Sequence, residues 1–135
     1  MIKNNSLKTF LLVFFVLSNK IHTGEVNGWE CSKFENARII GEGGVYLGVL
    51  GPGWLADSIF NSSSSFSSTW SYNSIFNTSS IYGDSYSNTS VFNDSADSPP
   101  EIISSQGFIG YLSVGPSWDD KRYSPNDIKY TCDWD

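Results

Sequence analysis

Apolar residues crowd together in one run, Phe10-Leu11-Leu12-Val13-Phe14-Phe15-Val16-Leu17. Beyond it they come in short groups spaced by serine, asparagine and glycine. The run follows a basic start with Lys3 and Lys8 and ends at Ser18, Asn19 and Lys20. It is much shorter than the ~20 apolar residues that span a bilayer. A basic start followed by an apolar run of ~7–15 residues is the layout of a signal peptide. Residues 1–24 are therefore expected to be a signal peptide, with the cut between 18 and 24; an uncleaved anchor is the alternative. Residues 25–135 are expected to form a single small domain, secreted or periplasmic, with no membrane insertion after cleavage.

The middle of the chain keeps a register. Ser58-Ile59-Phe60-Asn61 returns as Ser74-Ile75-Phe76-Asn77 and again as Ser90-Val91-Phe92-Asn93, a step of 16 residues each time. Phe66 matches Tyr82, and Trp70 matches Tyr86, with Ile102 in that place in the third copy. A random serine-rich tract does not keep its aromatic residues in phase, so 58–73, 74–89 and 90–105 are read as three repeats. Their apolar residues fall at places 2, 3, 9 and 13, which fits neither the strand period of 2 nor a sustained 3.6. Serine and asparagine side chains bond to nearby backbone and favour turns. Compact turns with brief helical pieces are expected, with Ser as cap and Asn taking the left-handed conformation at the end of each turn.

On either side of the repeats stand Tyr46-Leu47-Gly48-Val49-Leu50 and Phe108-Ile109-Gly110-Tyr111-Leu112. Aromatic and β-branched residues bounded by Gly and Pro read as short strands. Gly48 and Gly110 inside them indicate a bulge or a close backbone approach. Gly41-Glu42-Gly43-Gly44 lacks the Lys and Ser/Thr of a phosphate loop and reads as a turn. Burial of the repeats' own apolar side chains falls short of the entropy of ordering them, so they must pack on something. The expected fold is mainly β with irregular repeats. A small antiparallel sheet comes from segments near 37–50 and 107–114, and the three 16-residue turn and short-helix repeats pack between or against them.

In this order, Gly44 to Leu50, the Ser-Ile-Phe-Asn repeats, Pro99-Pro100, Gly110-Tyr111-Leu112 and Ser124-Pro125-Asn126-Asp127 resemble an uncharacterised family of small bacterial exported proteins. The resemblance covers residues 37 to 130. It departs in the first repeat, where Ser64-Ser65-Phe66-Ser67 stands in place of a Tyr-Gly turn. It implies export and supplies no catalytic residue. Asn61, Asn77, Asn88 and Asn93 each begin an Asn-x-Ser/Thr glycosylation pattern. In a bacterium, which the resemblance implies, they would normally stay bare.

Loss of Lys3, Lys8 and Lys20 with the signal peptide leaves five basic residues against 14 acids, a net charge of −9. No Lys or Arg occurs between Arg38 and Lys121. Nucleic-acid partners need a basic footprint that this chain lacks. Cys31 and Cys132 are the two cysteines. In an exported chain a disulfide between them is the simplest expectation. Metal binding is the rival, without the usual C-x-x-C spacing.

His22 is the one histidine. Its loss with the signal peptide would exclude a Ser-His-Asp triad and histidine metal sites. Asp119-Asp120 beside Lys121-Arg122 reads as a solvated turn rather than a glycosidase pair. Asp84, Asp94 and Asp97 lack EF-hand spacing. No catalytic residue, metal or cofactor is expected. Trp54, Trp70, Tyr82, Tyr86 and Trp118 are the candidates for a ligand-stacking platform, against a reading as core that the repeats' need for burial favours. The expected function is that of a non-enzymatic exported structural or interaction protein, its partner an unknown protein or glycan. The alternative is a carbohydrate-binding module using exposed aromatic residues.

Overall fold

The computed structural model describes residues 26–116, 118–119 and 121–134. The expected signal peptide with His22, and Asp120, lie outside the described residues.

Strand β1 (Arg38–Gly41) turns through Glu42–Gly44 into β2 (Val45–Val49). Strands β3 (Glu101–Ser104) and β4 (Gly107–Leu112) form a second hairpin, and β5 (Arg122–Tyr123) lies at the edge. The sheet order is β2-β1-β3-β4-β5. The fold is thus small and mainly β, as expected, but the sheet is mixed and not antiparallel throughout: β5 runs parallel to β4. Parallel neighbours cannot be joined by a tight hairpin, and β4 and β5 are separated by a longer connection. Arg122 fixes that loop. Its guanidinium donates to the carbonyls of Ala96 (2.8 Å) and Gly115 (3.1 Å) and pairs with Asp119 at 3.2 Å.

Strand alternation sorts the side chains by face. Ile39, Leu47, Ile102 and Leu112 are buried, whereas Arg38 and Glu101 face water. The buried set meets Phe34 of helix α1 (Cys31–Phe34), Ile128 of helix α2 (Pro125–Cys132), and Leu50, Ile59, Ile75 and Val91 from the intervening chain. Helix α2 starts with Pro125 at its first position, where a missing N–H is harmless. It stops where Asp133 turns left-handed, at φ +55°. Cys31 and Cys132 form a disulfide that ties α1 to α2. Just beyond, Trp134 is buried and packs near Phe60.

The strand glycines do what their positions suggested. Between the pairs Arg38↔Val49 and Ile40↔Tyr46 the register slips at Leu47-Gly48, and Gly48 has φ +97°. In β4 the register slips between Ile102↔Gly110 and Ile103↔Phe108. Gly48 and Gly41 also make room for aromatic rings. A Cβ on Gly48 would stand 3.0 Å from the Phe66 ring, and one on Gly41 would stand 2.7 Å from the Tyr82 ring. The matched aromatics Phe66 and Tyr82 thus rest on bare backbone of β2 and β1.

From Leu50 to Pro100 the only regular element is the 3-10 turn Ser65–Ser67. The rest is a succession of turns held by side chains. Ser58, Ser74 and Ser90 each accept through Oγ from the backbone N–H two residues on, at 3.0–3.1 Å. Asn61, Asn77 and Asn93 accept through Oδ1 in the same way from Ser63, Ser79 and Ser95. Their Nδ2 groups reach backwards to the carbonyls of Leu55, Ser71 and Ser87, at 2.9, 3.0 and 2.9 Å. The left-handed asparagines expected from sequence are absent from these sites. Among the described residues only Asn36 and Asp133 are non-glycine residues with positive φ. An amide that bonds backbone both ahead and behind ends the turn without that strain. The copy expected over 90–105 is not turns throughout: Glu101–Ser104 is strand β3, and Ile102 is fully buried.

Candidate functional site

Polar chemistry does not converge among the described residues. No group of three or more His, Cys, Asp or Glu side chains is placed to hold a metal ion. Asp84 caps a turn by accepting from the Tyr86 N–H, and Asp94 and Asp97 are exposed. Asp119 is committed to Arg122. Lys33 pairs with Glu30 at 2.7 Å and lies over the Phe34 ring. Burial raises the Glu30 carboxyl, but the Lys33 ammonium and the Asn27 N–H outweigh it and hold the group below the usual carboxylate range. A shallow cavity of about 350 Å³ on the outer sheet face is lined by Ile40, Glu42, Asp97, Glu101 and Tyr111, its carboxylates solvated. No helix among the described residues is long and apolar enough to cross a membrane.

The aromatic residues divide between core and surface. Tyr82 is 3% exposed and belongs to the core, so it offers no stacking face. Trp54, Trp70, Tyr86 and Trp118 are 76%, 91%, 91% and 76% exposed, so core packing does not absorb them. Trp118 stands apart in the loop between β4 and β5. The other three share one hydrogen-bonding relation to an asparagine further along the chain. Each immediately precedes a carbonyl gripped by an asparagine: Trp54 precedes Leu55, held by Asn61; Trp70 precedes Ser71, held by Asn77; and Tyr86 precedes Ser87, held by Asn93. The signal for Trp54 was present in the sequence, since it lies 16 residues before Trp70. It was hidden because Trp54 falls ahead of the first Ser-Ile-Phe-Asn. Trp29, Tyr72 and Tyr130 are also exposed but share no such register.

The backbone under these rings is pinned. The Trp70 N–H donates to Ser68 Oγ at 3.1 Å and the Tyr86 N–H to Asp84 Oδ1 at 2.9 Å. Beside Trp54, the Leu55 N–H closes a turn onto the Pro52 carbonyl at 3.1 Å. The same loop is tethered by Tyr46, whose hydroxyl donates to Asp57 Oδ2 at 2.9 Å. Burial, then the hydrogen bond and negative charge of Asp57, push the Tyr46 phenol up to about 12. Burial also raises Tyr82, with Tyr72 and Glu42 adding to it.

The folded pKa of Tyr46 lies above its unfolded value of about 10. The neutral phenol therefore stabilises the fold below that pH, and the contribution drains away as pH rises from about 10 to about 12. Absorbance titration at 295 nm should resolve a tyrosine ionising near the upper end, lost in Tyr46→Phe and lowered in Asp57→Asn. An unchanged titration in Tyr46→Phe would rule the assignment out.

Compared with protein-family profiles, curated proteins and solved structures, the chain shows no match.

Proposed function

We propose that this chain is a non-enzymatic exported protein that works by binding, and that Trp54, Trp70 and Tyr86 are its contact surface. The exposure of these three rings, each just before a carbonyl held by an asparagine, carries the reading. Large aromatic side chains left in water forgo burial worth about 2–3 kcal/mol each. Aromatic residues in such settings are typical anchors of interfaces. Export is supported by the Cys31–Cys132 disulfide, a bond that persists in oxidising compartments, and by the basic and apolar start of the chain. The resemblance to small exported bacterial proteins points the same way.

The test is a comparison of the purified mature protein with a Trp54→Ala/Trp70→Ala/Tyr86→Ala variant. Both are incubated with the cell-envelope fraction of the producing organism. The wild type should sediment with the envelope, and the variant should stay in solution at an unchanged melting temperature. Equal sedimentation of the two proteins would remove the contact surface. Sustained turnover of a substrate by the mature protein would remove the non-enzyme reading.

A further inference from the structure

We propose that the file Trp54, Trp70 and Tyr86 binds a linear, uncharged polysaccharide, each ring lying under the flat face of a sugar. The inference rests on the contact-surface reading above and names its ligand.

Repetition is the first argument. Each ring precedes a carbonyl held by an asparagine of the 16-residue register, so the three stand in one repeating environment. Phe76 and Phe92, one register step apart, pack ring to ring at 6.0 Å, so these two copies lie side by side, and a ligand that itself repeats suits such an arrangement. Protein hot spots instead cluster near the centre of an interface and are surrounded by unlike neighbours.

Ring chemistry is the second argument. The face of an aromatic ring is electron-rich and its edge electron-poor. The C–H groups on one side of a pyranose carry partial positive charge and form a flat apolar patch that suits that face. Thr69 and Ser85, directly before Trp70 and Tyr86, are exposed and offer hydroxyl groups to the rim of such a sugar.

Charge is the third argument. The segment carrying the file has no Lys or Arg between Arg38 and Lys121, while Asp57 and Asp84 lie within three residues of a ring. An acidic polymer would meet the negative charge of these carboxylates, so an uncharged polymer is the better match to this segment. Rigidity is the last argument. The turn bonds beneath the rings fix the backbone in advance, so little conformational freedom remains to be lost on binding. A polymer that engages all three rings at once gains through effective concentration.

Affinity electrophoresis of the mature protein in gels containing glucomannan, with pull-down on swollen cellulose and on chitin, tests the proposal. Retention on at least one of these is expected, insensitive to 0.5 M salt. Trp54→Ala, Trp70→Ala and Tyr86→Ala should each weaken it by about fivefold to tenfold, and Tyr86→Trp should retain it. Trp118→Ala, an exposed tryptophan outside the file, should bind as the wild type does. Loss of binding in Trp118→Ala equal to that in Trp70→Ala would overturn the assignment to the file. Absence of retention on all three polysaccharides would overturn the ligand. If the envelope binding then still depends on the three rings and disappears when the envelope is treated with protease, the partner is a protein. The contact surface then stands and the glycan falls. If neither polysaccharide nor envelope binds, both readings fall together.

Discussion

Replacing Cys31 and Cys132 together with serine is expected to lower the unfolding free energy by about 4–5 kcal/mol, since the bond links residues 101 positions apart. Total stabilities of about 5–15 kcal/mol make this a large fraction of the fold's margin. The bond does more than shorten the unfolded chain. It holds α1 against α2, and α2 brings Ile128 into the core and leads to the buried Trp134. Phe60, in the first Ser-Ile-Phe-Asn, packs near Trp134 and lies under the Lys129 ammonium at 5.8 Å. Loosening the C-terminal helix therefore exposes the start of the turn-rich segment. Urea unfolding of the double variant, followed by tryptophan fluorescence and extrapolated to water, measures the loss. An unchanged midpoint would show that burial of Ile128 and Trp134 suffices without the bond.

Gly83→Ala is expected to remove about 3 kcal/mol, at the upper end for forcing atoms into packed space. A Cβ at this position would collide with the Asn77 carbonyl oxygen and stand 2.5 Å from that of Ile75. Both obstacles are backbone, and the Asn77 carbonyl is held by the Ser80 N–H at 3.0 Å. No flexible side chain can yield. The same register place one copy earlier is Ser67, whose hydroxyl donates to the carbonyls of Asn61 and Ser64. There the chain passes through the 3-10 turn Ser65–Ser67 and has room for a side chain. Ser67→Gly should accordingly cost only about 1 kcal/mol, the worth of an ordinary hydrogen bond. Thermal melts should show Gly83→Ala falling by roughly 10–20 °C and Ser67→Gly by a few degrees. Equal shifts would mean that the two positions are structurally alike.

The departure of Ser64-Ser65-Phe66-Ser67 from a Tyr-Gly turn was visible in the residues, and the structure places a different turn there. Turn chemistry was legible because serine and asparagine act on backbone two residues away, within reach of local reasoning. Gly48 and Gly110 were legible because a glycine inside an otherwise apolar strand has few other uses. By contrast, β3 falls where the register places the end of a third copy, and β5 is only two residues in a charged segment. Both are strands because of their neighbours. Ile102 pairs with Ile39 and Gly110, and Arg122 reaches Ala96 and Gly115 from far along the chain.

The aromatic residues mark the boundary most clearly. By itself, the sequence determined their phase, the turns that carry them, the single cysteine pair and the scarcity of cations around them. Only the tertiary structure decided which rings are core and which are surface. Phe66 and Tyr82 turn inward because Gly48 and Gly41, about 18 and 41 residues away, leave bare backbone for a ring to cover. Trp54, Trp70 and Tyr86 are left uncovered and stay in water. Whether a side chain is buried depends on what non-local folding brings opposite it, and a local 16-residue pattern holds no record of that.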